Sequence, residues 1–370
     1  KQFIYIANAR IPTEKAHGLQ IVKMCEAFAA EEKRVTLVTP TRVNQIGKSV
    51  FDYYHVDRSF HVRTLWSLDL ILAVPEVFRA IAFFFQSLSF TANVLFHFAF
   101  VKHATFYVRD HLSGLALAYL GKKVFFEMHN YPARLLLHRL FFWPFAGIIA
   151  TNKLKGDRLA TDVKFPKENI HIACNGVDLK TFTTHITKTA ARQRLGLSGN
   201  KKIILYVGHL YQWKGVYTLA ESSKFFDEDY ECIFVGGTQR DIETLRKFIH
   251  EHRLKSCRVL GYKQHEEIPL YLAAADIVVV PNSGRSDVSQ FDTSPLKVFE
   301  YLAAKKPIVA SRLPAIAEIL EDHRTALFFE PDSPNDLAEK IRMLADDHAL
   351  QQRLVANGYE FVEHRTWHKR

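Results

Sequence analysis

The sequence predicts two doubly wound α/β domains, each on its own parallel sheet. Short apolar runs rich in β-branched and aromatic residues alternate with longer helical stretches along the whole chain, the pattern of parallel strands joined by crossover helices. At 370 residues the chain also exceeds the length at which one hydrophobic core usually stops growing. A hydrophobic fraction of 48% with 24% charged residues is that of an ordinary folded chain and excludes a disordered or fibrous protein.

In the first half the expected strands are "FIYIAN" at 3–8, "RVTLVTP" at 34–40, "FYVRD" at 106–110, "KVFFEMH" at 123–129, "GIIAT" at 147–151 and "IHIACNG" at 170–176. In the second half they are "KKIILYVGHL" at 201–210, "ECIFVGG" at 231–237, "RVLGYK" at 258–263, "DIVVVPN" at 276–282, "KPIVAS" at 306–311 and "TALFFEP" at 325–331. Residues 180–200 lack strong apolar periodicity and end in a Gly/Ser/Asn cluster, which places the linker there. The expected division is a first domain over 1–185, a second over 186–345, and a tail over 346–370 packing back toward the first domain. Two polar-faced helices, parted near Asp346 and Asp347, are expected from Asp332 to the end.

The charge of +10 is unevenly placed. Residues 1–185 hold 23 Lys and Arg against 14 Asp and Glu, a surplus of +9, whereas 186–370 hold 26 against 25. Such asymmetry points to an anionic partner for the first half, a nucleic acid or a membrane surface, or to a plain solvated basic face. Residues 80–101 contain no Asp, Glu, Lys or Arg, yet Gln86, Ser87, Ser89, Thr91, Asn93 and His97 interrupt the stretch. The expectation is a helix pair, partly buried and partly exposed at a lipid-facing surface, rather than a membrane span. "RLLLHRLFFWPF" at 134–145, with Arg134, His138 and Arg139 flanking leucines and aromatics, is expected to help it dock. An aromatic core beside a basic surface is the alternative.

Cys25, Cys174, Cys232 and Cys257 are scattered without CxxC or His spacing, which argues against a disulfide framework and a structural zinc. A cytoplasmic setting is expected, and "KQFIYIANAR" reads as a first strand rather than a secretory signal.

Neither G-x-G-x-x-G after a first strand nor G-x-x-x-x-G-K-[ST] occurs. Instead, "ILYVGHLYQWKGVYTLAES" has a strand, a turn at Gly208, and Lys214-Gly215 opening a helix, an arrangement suited to an anion; a surface lysine is the plain alternative. Farther on, "DTSPLKVFEYLAAKKP" predicts a helix with Ser294 as N-cap and Pro295 at the first helical position, leaving the N–H groups of Leu296 and Lys297 for a ligand oxygen. Glu300 lies one turn in on the Leu296 face and Asp292 just before the cap, so both carboxylates can accept from sugar hydroxyls. A solvated glutamate or an ion pair with Lys297, and a second capping residue, are the structural alternatives. In the first half, Glu127, His129 and Asn130 end a buried strand, and His17-Gly18 opens the first helix. His129 suits proton handling or a bond to a sugar hydroxyl, and Gly18 permits close approach of a ligand to the backbone; a structural histidine and a simple loop glycine are the plain alternatives.

Taken in order, "YVGHLYQWKG", "YLAAADIVVVPN" and "SPLKVFEYLAAKKPIVAS", with "CNGVD" at 174–178 and Trp367, resemble the family 4 glycosyltransferases of the GT-B fold, retaining enzymes that use nucleotide sugars. The resemblance implies two Rossmann-like domains facing across a cleft, with His129, Lys214 and Asp292 as catalytic residues. It implies Gly18, His209, Thr293, Ser294, Leu296, Lys297 and Glu300 on the substrate side. Glu300 would hold the ribose hydroxyls, Asp292 the transferred sugar and Lys214 the diphosphate. His129 would lie by the reacting sugar, and Gly18 would approach the phosphate. Three positions depart from the family: Asp292 where Glu is usual, His209 where an arginine precedes the lysine, and Pro295 where Gly often stands.

The reading that follows is metal-independent, retaining transfer from a UDP- or GDP-linked sugar to a lipid-linked or cell-envelope glycan. No cofactor is expected, and the site is placed in the cytoplasm at the inner face of a membrane. A sugar-nucleotide epimerase of the same architecture and a basic nucleic-acid-binding protein are the alternatives.

Overall fold

Each half of the chain forms a parallel sheet around its own first strand. The structure is a computed structural model that describes residues 2–31, 34–129, 131 and 138–370. It divides into two units, Lys1–Cys174 and Asn175–Arg370.

In the first unit, β1 (Gln2–Ile6), β2 (Arg34–Pro40), β3 (His61–Leu65), β4 (Ala104–Val108), β5 (Lys123–Met128), β6 (Gly147–Ala150) and β7 (Ile170–Ile172) run in the order β3-β2-β1-β4-β5-β6-β7, all parallel. In the second, β8 (Lys202–Val207), β9 (Tyr230–Val235), β10 (Cys257–Gly261), β11 (Ile277–Val280), β12 (Ile308–Ser311) and β13 (Leu327–Phe329) run β10-β9-β8-β11-β12-β13. Their pairings are again all parallel. Strand order reverses between β1 and β4 in one sheet and between β8 and β11 in the other. Ligands of such sheets bind beyond the carboxyl ends of the strands at that reversal.

Every strand expected in the second half is present: β8, β9, β11, β12 and β13 are almost wholly buried apolar runs, while β10, at the sheet edge, is partly buried and carries Arg258. β3 was not expected. It is an edge strand, mostly exposed, with His61, Arg63 and Thr64 in place of an apolar run.

The division falls at Cys174–Asn175 and not at 185–186. Asn175 donates to the Ser294 carbonyl at 2.6 Å, Val177 pairs with Thr366, and Gly176 lies against the backbone of Trp367. The "CNGVD" stretch is thereby tied to the second unit. Most of the expected linker is also folded there: Lys188–Leu195 is a helix capped by Thr187, and the nearly buried Arg192 binds Asp276 and the Ala274 carbonyl. The two tail helices are Pro334–Asp346 and His348–Glu363, with Asp347 capping the latter. The tail was expected to pack toward the first domain. It belongs to the second unit, where the His348–Glu363 helix packs on Leu296–Ala303.

Residues 79–98 form one helix of 20 residues, not a pair. Its inward stripe is Ala82, Gln86, Ser87, Phe90, Thr91, Val94 and Phe98, at helical spacing. Polar members of that stripe find partners inside: Gln86 Nε2 donates to Asn8 and Ser67, Asn8 donates to Ser87, and Thr91 bonds Ser113. Phe83, Phe84, Phe85, Ile81 and Leu88 face outward, with Phe96 81% and Phe100 90% exposed. The helix thus buries Gln86, Ser87 and Thr91 beside Phe90, Val94 and Phe98 and turns further large apolar side chains outward, where an ordinary amphipathic helix has a polar face. In the 134–145 stretch, Arg134 and the side chains of His138 and Arg139 lie outside the described residues, while Leu140 and Trp143 are exposed.

Candidate functional site

The reversal point of the second sheet gathers two lysine ammonium groups that bond no acceptor among the described residues. After β8 the chain turns at Gly208, makes a one-turn 3-10 helix Gln212–Lys214, and enters the Val216–Ser222 helix through Gly215. Gly215 has φ +71, and a Cβ there would overlap the Pro281 carbonyl oxygen, so only glycine brings this turn against the end of β11. Two buried tyrosines fix the turn: Tyr206 donates to the His209 carbonyl at 2.6 Å, and Tyr301 accepts from the Val207 amide at 2.9 Å.

Lys214 reaches over the Trp213 ring, 3.9 Å from its centroid, and has no hydrogen-bond acceptor among the described residues. Burial pushes its pKa down to about 7. Lys297, expected to serve through its backbone, carries its side chain beneath the same turn. Its Nζ lies over the Tyr206 ring at 3.8 Å, is buried, and bonds no acceptor among the described residues. Desolvation first, and then the Lys214 charge, hold it well below the ordinary lysine range, while Glu300 opposes them. Asn282, just past β11, is fully buried with neither side-chain nitrogen nor oxygen bonded among the described residues. Buried polar groups without a protein partner at a reversal point are candidates for holding a polar ligand.

The helix after β11 starts differently from the expectation. Its residues are Leu296–Ala303, Pro295 stands at the cap position, and no side chain caps it. Ser294 is not the N-cap because Asn175, 119 residues away, holds its carbonyl and its hydroxyl. The uncapped first turn leaves its leading amides without intrahelical partners, which favours an anion there. Glu300 does not form an ion pair with Lys297. Its Oε1 meets His265 Nε2 at 3.0 Å, and the His265 ring packs edge-on against Phe182. Asp292 ends the Val288–Asp292 turn, half-buried, and Thr293 after it is buried. Leu296 is half-buried, and the His209 ring stacks flat on Tyr211 at 4.9 Å.

The first unit has a polar cluster at its own reversal point. Glu127 on β5 is fully buried and accepts from Tyr5 Oη at 2.9 Å and Gln20 Nε2 at 3.1 Å. Arg109, just beyond β4, donates to Gln20 at 2.9 Å. His129 Nε2 lies 3.5 Å from Glu127, and burial, reinforced by Arg109, lowers its pKa to about 4. His17 falls to about 3, through burial and then Arg109. Both rings are therefore neutral at pH 7 and can donate or accept a hydrogen bond without bringing charge. Gly18 lies beside this cluster in sequence, but a Cβ on it would overlap the Tyr54 hydroxyl, which bonds Thr13. Its smallness is required by packing. Asn130 lies outside the described residues.

Sequence reasoning missed His265, Asn282, Tyr5, Gln20 and Arg109, and the Lys297 side chain. Glu127 gave a signal, as a carboxylate inside the apolar strand "KVFFEM". The others are joined only by the fold.

Residues 187–361 match the family model of Glycosyl transferases group 1, so the second unit carries a domain of that family. An uncharacterized glycosyltransferase of Methanocaldococcus jannaschii is 30% identical over 192 residues, 52% of each chain. The alpha-D-kanosaminyltransferase of Streptomyces kanamyceticus is 25% identical over 220 residues, 57% of this chain and 54% of its own. The chain thus spans about half the length of these relatives. Among solved structures, HepE of Anabaena in complex with UDP-glucose is similar in fold, with a TM-score of 0.76 at 16% identity over 99% of this chain and 95% of that one. The two Rossmann-like parallel-sheet units are those of a GT-B fold.

Proposed function

We propose that this chain, whose second unit carries a Glycosyl transferases group 1 domain, is a retaining glycosyltransferase. It moves a sugar from a nucleotide-diphosphate sugar to a lipid-linked or cell-envelope glycan. The observation that carries the reading is Lys214 at the reversal point between β8 and β11. Its ammonium group bonds no acceptor among the described residues, and the Leu296–Ala303 helix starts there without a side-chain cap. A diphosphate supplies the missing acceptor, and the UDP-glucose held by the Anabaena neighbour makes UDP-sugars the first donors to try, followed by GDP-sugars.

In this mechanism Glu300, steadied by His265, accepts the ribose hydroxyls, and Asp292 accepts from the transferred sugar. The bond from the anomeric carbon to the phosphate oxygen breaks as the acceptor oxygen bonds the same face of that carbon. The acceptor proton passes to the leaving phosphate. Negative charge grows on the diphosphate, where Lys214 and the first-turn amides of the Leu296–Ala303 helix are already placed to meet it. Lys214 and those amide dipoles perform the neutralisation without a metal or further cofactor.

The outward apolar side chains of the helix at 79–98 and the +9 of residues 1–185 support an acceptor presented at an anionic membrane, with the protein peripheral on its cytoplasmic face. A thermal-shift panel of nucleoside diphosphates and their sugars tests the donor assignment, since a specific ligand stabilises the native state by mass action. One nucleotide is expected to raise the melting temperature with and without its sugar. No shift with any of them would remove the proposal.

A further inference from the structure

Lys297 is an unusual place for a lysine. It stands in the first turn of the Leu296–Ala303 helix with Val298 and Phe299 fully buried after it, and its side chain runs inward instead of to solvent. Its Nζ ends beneath the Gly208 turn, where a Cβ on Gly208 would lie 3.2 Å from it. The faces it meets are the Tyr206 ring, the Lys214 charge, and the Glu300 carboxylate, which is itself held by His265. A buried ammonium with no hydrogen-bond acceptor is costly to keep unless something arrives to accept from it. At the same turn, position 209 is a histidine whose ring stacks on Tyr211.

We propose that Lys297 is a buried second cation of the donor site. Its acceptor is the diphosphate that Lys214 also meets, and it supplies the charge that an arginine at position 209 would otherwise bring. This rests on the donor reading above and adds to it a coupling between binding and protons. Burial disfavours the charge on Lys214, burial and then the Lys214 charge disfavour that on Lys297, and an arriving diphosphate restores both. Donor binding therefore takes up protons from the buffer onto Nζ atoms. Affinity falls as pH rises, because fewer lysines are charged beforehand.

The test is titration calorimetry of the whole chain with UDP, UMP, GDP and GMP near pH 7.5, in buffers of different ionisation enthalpy. The wild type is expected to prefer its nucleoside diphosphate over the monophosphate and to show proton uptake only with the former. Lys297→Met is expected to lose roughly 10- to 100-fold in diphosphate affinity. Monophosphate affinity should change by less than about threefold, and proton uptake should fall by part, the remainder being that of Lys214. Adding His209→Arg to Lys297→Met should restore most of the diphosphate affinity without restoring the uptake. Diphosphate binding by Lys297→Met with unchanged affinity and uptake would overturn the inference and leave the donor reading standing. Failure of the wild type to bind either diphosphate would overturn both. If Lys297→Met does not fold, the wild type decides: diphosphate binding without proton uptake overturns the inference.

Discussion

Replacing Glu300 should weaken the nucleotide through its ribose alone. The carboxylate is half-buried, with a side chain 13% exposed, and one oxygen is engaged by His265 at 3.0 Å. That contact leaves acceptor capacity on the other oxygen for a ribose hydroxyl. Hydrogen bonds to a charged group are worth about 1.5–3 kcal/mol, so Glu300→Ala should weaken the nucleoside diphosphate by roughly 10- to 100-fold. Glu300→Gln keeps a neutral acceptor and should lose about half as much in free energy. The decisive comparison uses UDP or GDP against the 2′,3′-dideoxy analogue, by calorimetry. Wild type should discriminate strongly, and Glu300→Ala should bind both alike, because the partner of the missing hydroxyls is gone. A melt of each apo variant, expected to shift only modestly for the lost His265 contact, separates folding from binding. Undiminished discrimination in Glu300→Ala would refute the assignment of the ribose to this carboxylate.

Three other outcomes follow from the structure. His129 and His17 titrate near 4 and 3 in the fold against about 6.5 unfolded, so the unfolded chain binds more protons between those values. The stability they confer is complete above about pH 6.5 and is lost as pH falls toward 4, roughly 2 kcal/mol for each by pH 5; denaturant titrations at pH 7 and 5 should show it, and His129→Asn should reduce the difference. Gly18→Ala should destabilise the first unit by roughly 1–3 kcal/mol, because the methyl meets the Tyr54 hydroxyl and Thr13, and Tyr54→Phe should relieve part of that; a melting temperature unchanged by Gly18→Ala would contradict the packing. Flotation with anionic vesicles at low salt should carry the protein up, and Phe84→Ser with Phe96→Ser should leave it behind with donor binding intact; equal flotation of both proteins would exclude this helix as the lipid-facing surface.

The sequence revealed whatever local chemistry dictates. Most strands of the second sheet could be read because they are short apolar runs rich in β-branched residues, and the tail helices because Asp347 interrupts their periodicity with a cap. β3 could not, since an exposed edge strand carries no apolar signature. Ser294 had the chemistry of a cap, but Asn175 takes its oxygens from 119 residues away, and no local rule anticipates that competition. For the same reason Glu300 could be read as a carboxylate one turn into its helix, while its partner His265, on another element, could not. Lys297 was visible as a first-turn residue, and only packing against Tyr206 shows that its side chain turns inward.

Donor turnover tests the central claim most directly. The whole chain is incubated with UDP- and GDP-sugars and a membrane-lipid extract, and nucleoside diphosphate release, the fate of the sugar and the anomeric configuration of the product are followed by mass spectrometry and NMR. The expected result is sugar transfer with the donor's anomeric configuration kept and stoichiometric nucleoside diphosphate released, both abolished by Lys214→Ala. An isomerised donor without release of nucleoside diphosphate, or turnover indifferent to Lys214, would contradict it.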